Sequence, residues 1–124
     1  MTSESHAARR DPSQPEGAFD LLDAARGLLE QAGGLAAGRA ARTLTPGAGT
    51  PLKQTLLALT ASQGLEEHQA PGPATLVVLV GDAVLRTADS ELELGPNHWA
   101  AIPPSPHELR ATTDVVVLLS VAMP

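Results

Sequence analysis

The sequence contains no cysteine and no tyrosine, and its only aromatic residues are Phe19 and Trp99. Without cysteine there can be neither a disulfide framework nor a thiolate metal site. With so few aromatics there are no stacking platforms for single-stranded nucleic acid or for sugars, and a core must be built from Val, Leu, Ala and Ile. Basic residues are scarce as well. Lys and Arg total 8 against 14 Asp and Glu, a formal charge of −6, which argues against a nucleic acid partner, because phosphates call for a basic face. No apolar run approaches the roughly 18 residues of a membrane-spanning helix, so no membrane partner is expected. The opening MTSESHAARRDPSQPEG lacks the apolar segment of about 7 to 15 residues that a secretory signal requires. The expected compartment is the cytoplasm.

What the chain does have is enough apolar material and a clear pattern. Its 124 residues, 43% of them hydrophobic, suit one domain that buries roughly two thirds of its unfolded surface. Residues 1–17 are polar, charged and proline-containing, a composition that cannot offset the entropy of ordering, and a disordered tail is expected there. From Phe19 the pattern becomes helical. Leu21, Leu22, Ala25, Leu28, Leu29 and Ala32 recur at the spacing of one face, and Asp23, Arg26, Glu30 and Gln31 occupy the other. Gly33 and Gly34 supply a stop of the left-handed type. One amphipathic helix over 18–33 is predicted.

After Gly38 the period changes to two and holds to the C-terminus. Predicted strands are 39–44, 52–61, 66–69, 74–80, 83–87, 91–94, 98–102, 107–111 and 114–121, separated by Gly- and Pro-rich turns such as TPGAGTP, APGP and PPSP. Short strands so regularly punctuated, with no second helical pattern, indicate an all-β sandwich or barrel over 38–124. The last strand, DVVVLLSV, is apolar on both faces and should be central or covered on both sides. Either the helix or a partner in a homodimer would provide that cover.

Two stretches carry a family resemblance. His68 precedes APGPATLVVLVG, which ends at Gly81, and LELGPNHWAAIPPSPHEL holds the Ile102–Pro103 step and His107. Together they resemble the two motifs of a small single-domain cupin, which implies a jelly-roll β-barrel, here with one N-terminal helix. Metal-binding cupins place two histidines and a glutamate in the first motif and a histidine in the second. Counted back from Gly81, those places fall on His68, Ala70 and Ala74, and the fourth falls on His107. Two of the four expected ligands are therefore alanine, and the metal-ligand set implied by the resemblance is incomplete.

Alternation along a strand puts Glu66 on the face of His68, and His98 shares the parity of Ala100 and Ile102. Candidate metal ligands are thus His68, His107, Glu66 and His98, residue types that suit a divalent transition metal such as Zn, Fe, Ni, Mn or Cu. The same histidines equally suit a metal-free polar pocket in which they bond to backbone, water or each other. Ser105 near His107 lacks a nucleophile elbow, and GGLAAG lacks the lysine and preceding strand of a phosphate loop. Arg39, Arg42 and Lys53 would form an anion contact only if their strands brought them together. The expected function is binding of a small molecule, and of a divalent metal, through His68 and His107 in the barrel. The alternative is a metal-free structural, sensing or dimerisation barrel without catalytic activity. Whether the chain is an enzyme is left open by the sequence.

Overall fold

A computed structural model describes residues 17–45, 49–68 and 70–123, with the side chains of Glu67 and His68 outside the description. The tail expected over 1–17 lies outside it too, except for Gly17. Helix α1 spans Leu21–Gly33. Its first turn is capped by the Asp20 carboxylate, which accepts from the Asp23 N–H at 3.0 Å and satisfies one of the donors a helix start leaves without an internal partner. The stop differs from expectation. Gly34 is right-handed at φ −89°, and the helix closes by tightened bonds from Gly34 N–H to Gln31 O and Leu35 N–H to Ala32 O. The left-handed residue comes four positions later, at Gly38 (φ 67°).

Among the described residues nine strands follow: β1 (Arg39–Thr43), β2 (Leu52–Leu59), β3 (Gly64–His68), β4 (Ala74–Val80), β5 (Ala83–Thr87), β6 (Glu91–Leu94), β7 (Trp99–Ile102), β8 (His107–Ala111) and β9 (Val115–Ala122). They form a five-stranded sheet ordered β1-β2-β9-β4-β7 and a four-stranded sheet ordered β3-β8-β5-β6, with every pairing antiparallel. From β2 onward the chain changes sheet at almost every connection, so the two sheets face each other across one interior.

That interior is aliphatic. Leu57, Leu59, Leu76, Val78, Leu85, Leu109, Val115 and Val117 are buried between the sheets. A second cluster on the outer face of the larger sheet joins Ala25, Leu28 and Ala32 of α1 to Leu56, Ala58 and Val116. Strand β9 is therefore central, with Val115 and Val117 facing the opposite sheet and Val116 facing the helix. Its apolar character on both faces is thereby explained within one chain. Leu22 falls outside the helical stripe and is 42% exposed.

The outer face of the smaller sheet is polar. Arg86 bonds Glu91 at 2.8 Å and Glu108 at 2.9 Å across adjacent strands. Its guanidinium is held above its usual range chiefly by the hydrogen bond to Glu91, and after that by the nearby acidic charges.

Candidate functional site

The site forms at one end of the interior, where β8 begins. Among the described residues its one titratable lining group is His107, 3% exposed, in a cavity of about 100 Å³. The walls come from both sheets: Leu76, Ile102 and Leu119 from the larger, Leu65, Leu85 and Leu109 from the smaller, with Ala70, Pro71 and Ala74 at the rim. Alternation places these side chains. Leu109 is two residues from His107 on β8 and so shares its face, and Leu85 stands opposite Leu109 on β5.

The His107 ring is oriented by its own loop. Nδ1 lies 2.9 Å from the Ser105 carbonyl oxygen. A carbonyl can only accept, so Nδ1 carries the proton and, in the neutral ring, Nε2 carries the lone pair. The Pro103–Pro106 segment shapes this contact by holding the Ser105 carbonyl beside the ring. The bond uses the backbone carbonyl, so Ser105 is placed here as a ring-orienting residue.

The four ligand candidates are distributed unequally. His68 stands opposite His107 in the β3–β8 pairing, and the two predicted positions do meet at the level of the backbone. A bulge precedes them. Two residues of β3 lie between Leu65 and His68, while one residue of β8 lies between Leu109 and His107. The extra residue breaks the alternation that would have tied Glu66 to the face of His68. Leu65 packs against the intersheet core, and Glu66 is exposed, so the expectation that Glu66 joins His107 in the interior is corrected.

His98 is corrected likewise. It is exposed in the β6–β7 turn, where its Nδ1 accepts from the Gly95 N–H at 2.8 Å. It lies four residues before Ile102, about 13 Å along the strand from the cavity. Asn97 in the same turn is left-handed at φ 69°, a conformation that asparagine tolerates, which explains an asparagine where glycine is usual.

The basic residues also part company. Arg39 reaches the Gly64 carbonyl at 3.5 Å, while the Arg42 guanidinium sits over the Phe19 ring at 5.2 Å, a cation–π contact that ties β1 to the start of α1. The anion contact is not formed by this pair.

Sequence reasoning missed the groove beside the cavity. It measures about 780 Å³ and is lined by Leu52, Gly72, Pro73, Thr75, Ala101 and Ser120 among others. Ala70, Pro71, Ala74 and Ile102 line both spaces, which lie on opposite faces of the larger sheet at its end: Leu76 and Leu119 face the cavity, Thr75 and Ser120 the groove. The available signal was the alanines themselves. Ala70 and Ala74 both line the cavity of His107.

Among the described residues the donors do not make up a four-ligand metal centre. Two of its positions present methyl groups, and among the described residues no group of three His, Asp or Glu comes together. What the described arrangement can do is enclose an apolar group beside the buried imidazole of His107.

No family model matches the chain, and no curated protein matches it. Solved structures do. A cupin superfamily protein from Desulfitobacterium hafniense aligns at a TM-score of 0.72 and 15% identity, covering 93% of this chain and 99% of that one. A rmlc-like cupin from Desulfovibrio desulfuricans aligns at 0.64 and 24% identity, covering 87% and 97%. Salicylate 1,2-dioxygenase from Pseudoaminobacter salicylatoxidans, solved as a mutant, aligns at 0.69 and 21% identity over 94% of this chain and 38% of that one. The two facing antiparallel sheets, the cavity at one end with its second-motif histidine, and these alignments together identify the fold of this chain as that of the cupins.

Proposed function

We propose that this chain is a small-molecule binding barrel whose ligand occupies the cavity of His107. The observation that carries the reading is a polar side chain 3% exposed in a cavity whose other described lining residues are apolar. Concave, mainly apolar sites with one or a few fixed polar groups are the usual form of a ligand pocket. The fold is shared with salicylate 1,2-dioxygenase, a protein whose name states a small organic substrate. Methyl-detected NMR titration with a fragment library tests the reading. Perturbations should centre on Leu65, Leu85 and Leu109 and disappear in His107→Phe. Perturbations scattered over the surface and indifferent to that substitution would overturn it.

The register of His68 with His107 favours a second reading, in which the two histidines hold a divalent metal beside the ligand. Two imidazoles and no carboxylate make a weak site. Equilibrium dialysis of untagged protein against Zn²⁺ and Co²⁺ tests it. Stoichiometric metal lost in both His68→Ala and His107→Ala supports this reading, and no retention at any loading refutes it.

A homodimer now rests on a different surface from the one the sequence offered, because α1 covers β9 in cis. Trp99, 62% exposed on edge strand β7, is the residue that a second copy would bury. Sedimentation velocity should give a dimer that Trp99→Arg dissociates, and a monomeric wild type refutes the assignment.

A further inference from the structure

We infer that a second copy of this chain pairs antiparallel with the open edge of β7, with Trp99 of each copy opposite Ala101 of the other. The inference rests on the homodimer proposed above and adds its register and its bonds. The direction of backbone groups, the charge on the sheet edges and the prolines around β7 carry it.

The pairing with β4 fixes which groups of β7 are turned outward. The Val78 N–H donates to the His98 carbonyl, and backbone groups alternate sides along a strand. His98, Ala100 and Ile102 therefore turn toward β4. Trp99 and Ala101 turn their N–H and C=O groups to the other side, where among the described residues no strand pairs with β7. Both residues are exposed.

Charge selects this edge. The two sheets end in β1, β7, β3 and β6. Self-pairing would bring together Arg39 and Arg42 on β1, Glu66 and Glu67 on β3, and Glu91 and Glu93 on β6. Like charges brought into one ladder oppose such pairing. Strand β7 carries no ionisable residue.

Proline selects the register. With Trp99 opposite Ala101 across a two-fold axis, both pairs exchange both of their hydrogen bonds. Trp99 opposite itself would put Ala101 opposite Asn97, whose N–H is already bonded to the Val78 carbonyl. Ala101 opposite itself would put Trp99 opposite Pro103, which has no N–H to give. In the favoured register each indole, 62% exposed in the single copy, lies beside the small Ala101 of the partner. Ala101 stands across from Thr75, and both line the groove, so the ring meets a concave surface.

Trp99 is the only tryptophan and tyrosine is absent, so intrinsic emission reports on this indole alone. The test raises the whole chain from about 1 μM to about 1 mM, a range in which small interfaces dissociate. Sedimentation, Trp99 emission and amide hydrogen exchange by NMR are followed together. Dimer should appear with a shift of emission to shorter wavelength, and exchange at Trp99 and Ala101 should slow in proportion to the dimer formed. Ala101→Pro removes a donor that points to the open edge and should weaken the dimer about tenfold or more while Trp99 stays in place. Ala101→Lys sets a charge on the edge instead, and so answers if the proline variant does not fold.

A dimer that persists in the folded variants, or whose Trp99 and Ala101 amides exchange as in the monomer, overturns the strand pairing while the homodimer stands. A wild type that stays monomeric at every concentration overturns both and leaves the edge to a strand of another protein.

Discussion

Adding one methyl group at two glycines should have opposite effects on this protein. Gly81 joins β4 to β5 and is left-handed at φ 80°. A Cβ there would meet the Asp114 carbonyl oxygen well inside van der Waals contact, and the Thr113 hydroxyl at 3.0 Å. The left-handed backbone costs an alanine about 1–2 kcal/mol. Relieving the overlap with backbone adds about 1–3 kcal/mol, so Gly81→Ala should lose about 2–5 kcal/mol, a large share of the roughly 5–15 kcal/mol typical of a domain. Gly27 is exposed in the middle of α1, and a Cβ there meets nothing within 4 Å. Gly27→Ala should gain about 0.5–1 kcal/mol by reducing the freedom of the unfolded chain and favouring helix. Urea denaturation followed by far-UV circular dichroism measures both on one scale, and about 4 °C of Tm per kcal/mol offers a second for a chain of this length. Gly81→Ala within 1 kcal/mol of wild type, or Gly27→Ala destabilised, would refute the reasoning. The result bears on function, because the loop beyond Gly81 anchors both sheets. The Asp82 carbonyl accepts from the Thr112 and Thr113 N–H groups, and β4 carries Ala74 and Leu76 to the cavity.

Further perturbations separate the remaining roles. Leu28→Ala removes the centre of the helix–sheet cluster and should cost about 2–4 kcal/mol, with a rise in binding of a hydrophobic dye as the Val116 face is uncovered. His98→Ala should cost about 0.5–1.5 kcal/mol through loss of its bond from Gly95, while leaving ligand affinity at the cavity unchanged. A fall in affinity would place His98 in the site after all. The double substitution Ala70→His with Ala74→Glu should lower stability without metal, because it buries a carboxylate among aliphatic groups. Added Zn²⁺ should then raise the Tm of the double variant and leave that of the wild type nearly unmoved, and equal shifts would count against the placement of both alanines on the cavity.

The strands were legible because period-two patterning and turn residues act locally. All nine predicted strands occur, four of them with their predicted limits, and the other five differ by a few residues at the ends, where capping and pairing rather than pattern decide. The candidate site was half legible. His107 declares itself by its place after Ile102 and Pro103, whereas Glu66 was placed by extrapolating an alternation that one bulge residue interrupts. His98 was assigned by parity, which says nothing about whether a residue opens a strand or closes a turn.

By itself the sequence determined the class of the fold, the aliphatic nature of its core, and the lack of any thiolate ligand. These follow from composition and from local periodicity, neither of which needs contacts between distant residues. Tertiary structure alone decided that α1 covers β9, that Glu66 and His98 lie away from His107, and that Ala70 and Ala74 line its cavity. Each of these depends on how strands far apart in the chain are registered and on which faces the sheets turn toward each other. A single inserted residue can reverse either one without changing the pattern that predicts the strands.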